Sequence, residues 1–243
     1  MNQYKEYTSH LQHFHSDTKQ DMKDFIKRWP VFYIKYLPND KNAKILDLGC
    51  GLGHFLYLLK NQGYQNYIGI DIVKENIEYV HEHITPNVLQ EDAYLYLDNH
   101  PRTYDFIHLK DVIEHIERNR LVEFINKINR SLKPGGKVMI STANGTHSFG
   151  RYMKYADITH TIGAFTETSL RQLLVAGGFS DIQLVATNLP LNATSPLGFL
   201  KRIFYWAPKH FLMQLTYKLE GIRPLPKVYH WHITAIATKK PNE

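Results

Sequence analysis

Two groups of residues in this chain have the types and spacing to do chemistry. The first is Ile45-Leu46-Asp47-Leu48-Gly49-Cys50-Gly51-Leu52-Gly53, an apolar run carrying an acid, followed by three glycines at alternate positions. A buried strand that stops there and breaks into glycines lets the backbone approach a ligand closely. A second acid, Asp71, ends the apolar run Tyr67-Ile68-Gly69-Ile70 and lies 22 residues after Gly49. The other group is Asp111, Glu114 and His115, at i, i+3 and i+4 after Tyr104-Asp105-Phe106-Ile107-His108-Leu109-Lys110. On a helical turn these three share a face, and two carboxylates with an imidazole can hold a divalent cation. His147 and His160 follow in a long polar stretch, 144–165, as candidates for a general base or a metal ligand at an acceptor hydroxyl.

The elements that must position them follow from the pattern. After the glycines, His54-Phe55-Leu56-Tyr57-Leu58-Leu59-Lys60 is apolar enough to be a helix packed on a sheet. Strand, glycine loop and helix begin a nucleotide-binding βαβ unit. The dinucleotide fingerprint GxGxxG fails, because His54 occupies its last glycine position, and there is no GxxxxGK[ST] phosphate loop. Asp47 would repel a phosphate but suits a cation. S-adenosylmethionine (SAM), with its ammonium and sulfonium and no phosphate, is favoured over NAD on charge. An acid placed as Asp71 is, at the end of the second strand, hydrogen-bonds ribose hydroxyls.

Asp47-x-Gly49-x-Gly51-x-Gly53 resembles motif I of the class I SAM-dependent methyltransferases. The resemblance implies that Asp47, Gly49, Cys50, Gly51 and Gly53 line the cofactor, with Asp71 on its ribose and Ile72 on the adenine face. It implies further that Asp92 accepts from the adenine amino group beside the backbone of Ala93, with Glu91 as a competitor, and that Lys110 is among the cofactor-binding residues. Tyr104-Asp105-Phe106-Ile107 resembles the family's central strand, and Leu132-Lys133-Pro134-Gly135-Gly136 its proline-glycine turn before a fifth parallel strand, Lys137 to Thr142. The expected fold is α/β: a Rossmann-like, seven-stranded mixed sheet with the last strand antiparallel and helices on both faces.

Asp111-x-x-Glu114-His115 resembles the Glu-x-x-Glu-His run of ubiquinone-biosynthesis O-methyltransferases, and that of small-RNA 2′-O-methyltransferases, where a later histidine joins it on magnesium. Asp111 has a shorter arm than the glutamate it replaces. His160 is the candidate later histidine, and the metal set implied is Asp111, Glu114, His115 and His160, with Mg as the cation. The alternative is that His115 packs and caps locally. Asp157-x-Thr159-His160, with Phe165-Thr166-Glu167 beyond, resembles bacterial methyltransferases of surface-polysaccharide gene clusters.

At 243 residues the chain reads as one domain with an insertion. Residues 1–43 form an N-terminal helical cover, with a stripe through Met22, Phe25, Ile26 and Trp29 that Pro30 breaks or restarts; Lys27, Arg28 and Tyr33 either touch substrate or pack. Residues 44–189 are the SAM-binding core, with a helix over Lys74 to His83, a capped helix over Thr166 to Ala176 and a strand over 180–187. Residues 190–227 are an amphipathic helical insertion, read as two short helices broken at Pro208. Residues 228–243 hold the last strand, Tyr229 to Ala237, and the tail. Aromatic and basic residues interleave through 197–219, which suits an interfacial helix on an anionic membrane, a substrate lid or a dimer face equally. Net charge is +6, favouring anionic partners, although Lys and Arg are too scattered for a phosphate-tracking nucleic-acid surface. Cys50 is the single cysteine, so no internal disulfide framework exists. With no apolar leader and no spanning run, a cytoplasmic protein is expected, peripheral at the inner membrane face if 197–219 binds lipid.

The expected activity is SN2 transfer of methyl from SAM to an acceptor held in line, with His147, His160 or His115 assisting loss of the hydroxyl proton. The preferred acceptor is a sugar hydroxyl in a surface glycan or its nucleotide- or lipid-linked precursor. The alternatives are an RNA ribose 2′-hydroxyl with a metal site, a quinone or other small aromatic, and, last, a non-enzymatic SAM-binding scaffold.

Overall fold

Residues 30–147, 152, 162–187, 200, 204, 207–221 and 225–241 are described by the computed structural model. Its centre is a seven-stranded sheet in the order β3-β2-β1-β4-β5-β7-β6. The strands are β1 (Ile45–Leu48), β2 (Tyr67–Asp71), β3 (Val88–Gln90), β4 (Tyr104–Lys110), β5 (Leu132–Ala143), β6 (Phe179–Ala186) and β7 (His232–Lys239). β1 to β5 pair in parallel, and β7 runs antiparallel between β5 and β6. This is the mixed sheet that the sequence predicts. The helices are α1 (Pro30–Ile34), α2 (His54–Asn61), α3 (Lys74–His83), α4 (Ala93–Asp98), α5 (Leu121–Ser131), α6 (Glu167–Ala176) and α7 (Ala207–Leu219).

Strand alternation sorts the core. Leu46, Leu48, Ile107, Leu109, Val138 and Ile140 point to one face and pack with Phe124, Ile125 and Ile128 of α5 and Leu170 and Leu174 of α6. Ile45, Phe106, Met139 and Ile236 point to the other, under Phe32 and Tyr33 of α1 and Phe55, Leu58 and Leu59 of α2. Burying each large side chain of this kind contributes about 1.5–3 kcal/mol. Asp47 and His108 share the α1/α2 face by the same alternation, as partners in the β1–β4 register.

Several boundaries differ from the sequence reading. β5 begins at Leu132 and absorbs Lys133-Pro134-Gly135-Gly136, because Leu132 still pairs with Tyr104; the expected turn survives as an irregularity where the register moves on to Phe106↔Lys137. β7 starts at His232, later than expected, because Val228 and His230 give their carbonyls to the Asn144 side chain. α7 runs through Pro208 without a break: in a first turn, proline's missing N–H has no partner to lose. Pro30 likewise starts a helix. Tyr33 is 1 % exposed and packs on Phe55 and His108, so of its two readings the packing one holds. α6 carries the expected cap, Thr166 and Ser169 forming a reciprocal capping box. The stripe through Met22 to Trp29, His160 and all of residues 190–206 but 200 and 204 lie outside the described residues.

Candidate active site

In a parallel sheet, ligands bind beyond the carboxyl ends of the strands, at the point where the strand order reverses. Here that point is between β1 and β4. The loop after β1 is built from left-handed backbone, with φ of 75° at Gly49, 51° at Gly51 and 76° at Gly53. The three glycines are needed for different reasons. A Cβ on Gly49 would lie 2.5 Å from Val112 Cγ2, and one on Gly53 would lie 2.9 Å from Val80 and Ile84. A Cβ on Gly51 would meet nothing within 4 Å, so Gly51 borders the open side of the loop, where a ligand can reach the backbone.

Acids surround that loop. Asp47 is 2 % exposed, and its Oδ1 lies 2.7 Å from His108 Nδ1. His108 stacks on Phe55 at 3.9 Å, and its buried Nε2 has no hydrogen-bond partner among the described residues. Asp71 Oδ2 accepts from the Gly51 N–H and Oδ1 from the Val73 N–H, both at 2.8 Å, tying the glycine loop to the end of β2. Burial pushes the Asp71 carboxyl above the usual carboxylate range, against the pull of these bonds. Ile72 beside it is 48 % exposed, an apolar platform at the strand edge. Asp92 caps α4, its Oδ1 accepting from Tyr94 N and Leu95 N, and Ala93 begins that helix. Cys50 is buried, and burial pushes its thiol up.

The Asp111 region corrects one expectation. Asp111 has φ 55° and stands outside the helical turn, which is a single 3-10 turn over Ile113–His115. The i, i+3, i+4 face therefore does not form. Asp111 Oδ2 instead takes Lys110 Nζ at 2.6 Å and Oδ1 faces His232 Nε2 at 3.2 Å. Burial would raise the Asp111 carboxyl, but Lys110 and His232 beside it outweigh that and hold it well below the usual range. Glu114 is 2 % exposed and accepts from Thr142 Oγ1 at 3.1 Å; burial, then Asp111, pushes its carboxyl up to about 8. His115 is half-buried, with its N–H on the Val112 carbonyl. Among the described residues no group of three or more such side chains could hold a metal ion. With Asp111 and Glu114 engaged in this way the described residues do not fit the expected divalent cation, and His160 lies outside them.

Three features of the site are absent from the sequence reading. Asn144, fully buried after β5, donates to the carbonyls of Val228 and His230 and accepts from Thr146. That brings His230 and His232 to the site, because an antiparallel strand starts where its parallel neighbour ends. α7 then crosses the same edge: Lys209 Nζ lies 3.0 Å from Nε2 of the buried His147, and the Tyr217 hydroxyl donates to the Thr146 carbonyl. The one signal for this in the sequence is the spacing Lys209, Met213, Tyr217, a helical stripe. The cofactor side of the edge is thus lined by Asp47, Asp71 and Asp92, and the other side by His147, His230, His232 and Lys209.

Fold and site together define a Rossmann-like enzyme whose glycine loop is set for a cationic nucleoside. A family model described as a methyltransferase domain matches residues 14–184. A ubiquinone biosynthesis O-methyltransferase of Rickettsia typhi is 37% identical over 118 residues, 46% of each chain. One of Pectobacterium carotovorum is 24% identical over 161 residues, 55% of this chain and 65% of that one. The chain spans under two thirds of the length of these relatives. Among solved structures, a SAM-dependent methyltransferase of Archaeoglobus fulgidus superposes with a TM-score of 0.68 at 21% identity, over 96% of this chain and 99% of that one. The chain belongs to the methyltransferase domain family, and its fold is that of the SAM-dependent methyltransferase on which it superposes. The open backbone at Gly51 and the acids around it fit SAM, which supplies an electrophilic methyl group on a sulfonium.

Proposed function

We propose that the enzyme methylates a hydroxyl of an amphipathic acceptor at a membrane surface, a sugar of a lipid-linked precursor of a surface glycan. The observation that carries this reading is the pair of faces on α7. One face, with Lys209 and Tyr217, closes over the strand edge at His147 and Thr146. The other leaves Phe211, Leu212, Leu215 and Leu219 between 40 % and 78 % exposed. A helix that is polar toward the site and apolar toward solvent suits a polar head entering from a lipid surface. No helix among the described residues is long and apolar enough to cross a membrane, so contact would be peripheral.

Methyl transfer forms a C–O bond as a C–S bond breaks, and the hydroxyl proton must leave. In this reading His147 receives it. Burial, with Lys209 and His210 adding, holds its imidazole below the ordinary value, so it is neutral and basic near pH 7. No divalent cation enters the reading, since Asp111 and Glu114 are engaged elsewhere.

A second reading, a phenolic hydroxyl of a prenylated quinone precursor, is favoured by the names of the relatives. Methyl-labelled SAM, offered with separated glycolipid, prenylated phenol and RNA fractions, distinguishes them. Label in the glycolipid supports the first reading and label in the phenol the second. Label in RNA overturns both.

A further inference from the structure

The strand residues under α1 and α2, Ile45, Phe106, Met139 and Ile236, are apolar, and Asp47 and His108 stand among them as partners in the β1–β4 register. Burying a polar pair there costs desolvation that an apolar pair would avoid. Both side chains are 3 % exposed, and Asp47 Oδ1 lies 2.7 Å from His108 Nδ1. No second partner holds the Asp47 carboxylate among the described residues. The imidazole is clamped from two helices: it stacks on Phe55 of α2 at 3.9 Å and meets the Tyr33 ring of α1 edge-on at 5.4 Å. A ring held on both sides keeps its Nδ1 on the carboxylate.

The other ring nitrogen decides where the proton sits. His108 Nε2 is buried and has no hydrogen-bond partner among the described residues. An imidazolium would leave a charged N–H there without an acceptor, which costs more than a bare neutral nitrogen without a donor. The proton therefore belongs on Nδ1, donated to Asp47, and the pair carries one net negative charge. Lys110, a cation whose field also reaches Asp47, gives its ammonium to Asp111 at 2.6 Å.

We infer that His108 is a positioning residue for the cofactor: its Nδ1–H fixes the Asp47 carboxylate and keeps it ionised beneath the glycine loop for the ammonium of SAM. Without that donor, a carboxylate buried in an apolar layer takes up a proton or turns away, and either change removes the charge that the ammonium meets. The inference rests on SAM as the cofactor and holds for any acceptor.

The test is a calorimetric titration of the full chain with two ligands. S-adenosylhomocysteine keeps the ammonium; 5′-methylthioadenosine lacks the amino-acid end. His108→Phe keeps a ring for Phe55 and removes the donor, whereas His108→Asn offers an amide N–H in place of Nδ1–H and removes the ring. His108→Phe is expected to weaken S-adenosylhomocysteine by about tenfold or more, as for one charge-assisted contact, and to leave methylthioadenosine nearly unchanged. His108→Asn should bind S-adenosylhomocysteine more tightly than His108→Phe does. In the ligand-free chain, imidazole 15N shifts should show His108 protonated at Nδ1 and bare at Nε2. Equal weakening of both ligands by His108→Phe marks a role in packing alone and overturns the inference. Unchanged S-adenosylhomocysteine affinity in His108→Phe, or a His108 proton on Nε2, overturns it as well. A wild-type chain that binds neither ligand removes the cofactor on which the inference rests.

Discussion

His108 and Asp47 face each other across the β1–β4 pairing, Nδ1 to Oδ1 at 2.7 Å, each side chain 3 % exposed. They hold a carboxylate directly beneath the glycine loop with its charge-bearing atom fixed. His108→Phe keeps the ring stack on Phe55 and leaves the carboxylate without this partner. The expected cost is about 1–3 kcal/mol of folding free energy, typical of a buried polar group left unsatisfied. Denaturant unfolding measures it, and Asp47→Asn in the same background should recover part of it.

Gly49 and Gly51 share a left-handed backbone and differ in what surrounds them. Alanine at either position costs about 1–2 kcal/mol in backbone strain alone. Gly49→Ala also drives a methyl into Val112, so unfolding should register the larger loss there. At Gly51 an added methyl meets no protein atom within 4 Å, so the damage from Gly51→Ala should appear in SAM affinity. Calorimetry that finds SAM binding intact in folded Gly51→Ala would contradict the placing of the cofactor against this loop.

Glu114 gives the stability a pH dependence of definite sign. Its folded carboxyl is pushed up to about 8 from an ordinary value near 4.5. Between those values the folded state binds the proton and the unfolded state does not, so stability falls as pH rises through this window. Asp111 titrates well below it and adds no slope there. Melting temperatures from pH 5 to 9 should decline, and Glu114→Gln should flatten the decline and gain stability at pH 9.

His147 should set the acid limb of the rate. Its lowered imidazole pKa places loss of activity below pH 6.5 as the pH falls. His147→Gln should reduce single-turnover rates by about 10²–10⁴, remove that limb and leave SAM affinity unchanged. A limb that persists in the variant assigns the proton to another group.

The glycine loop and the acids at the ends of β1 and β2 were legible in the sequence because they are local. Acid and glycines sit within one turn of chain, and Asp71 lies one βαβ unit on. The rest is made by contacts between distant segments: beneath the glycine loop His108 reaches Asp47 across 61 positions, and at the other side of the edge Lys209 reaches His147 across 62. No periodicity encodes such meetings. They depend on β7 running backward to start at the site, and on α7 turning Lys209 and Tyr217 inward. Asp111 misled for another reason: its left-handed backbone breaks the helical spacing that placed Asp111, Glu114 and His115 together.

The most direct test of the account is to incubate the enzyme with trideuteromethyl-SAM and a glycolipid extract, then to locate the label by mass spectrometry. The predicted result is a methyl ether on a sugar of a lipid-linked glycan precursor, lost with His147→Gln. Label on nitrogen, on RNA or on a phenol alone would contradict it.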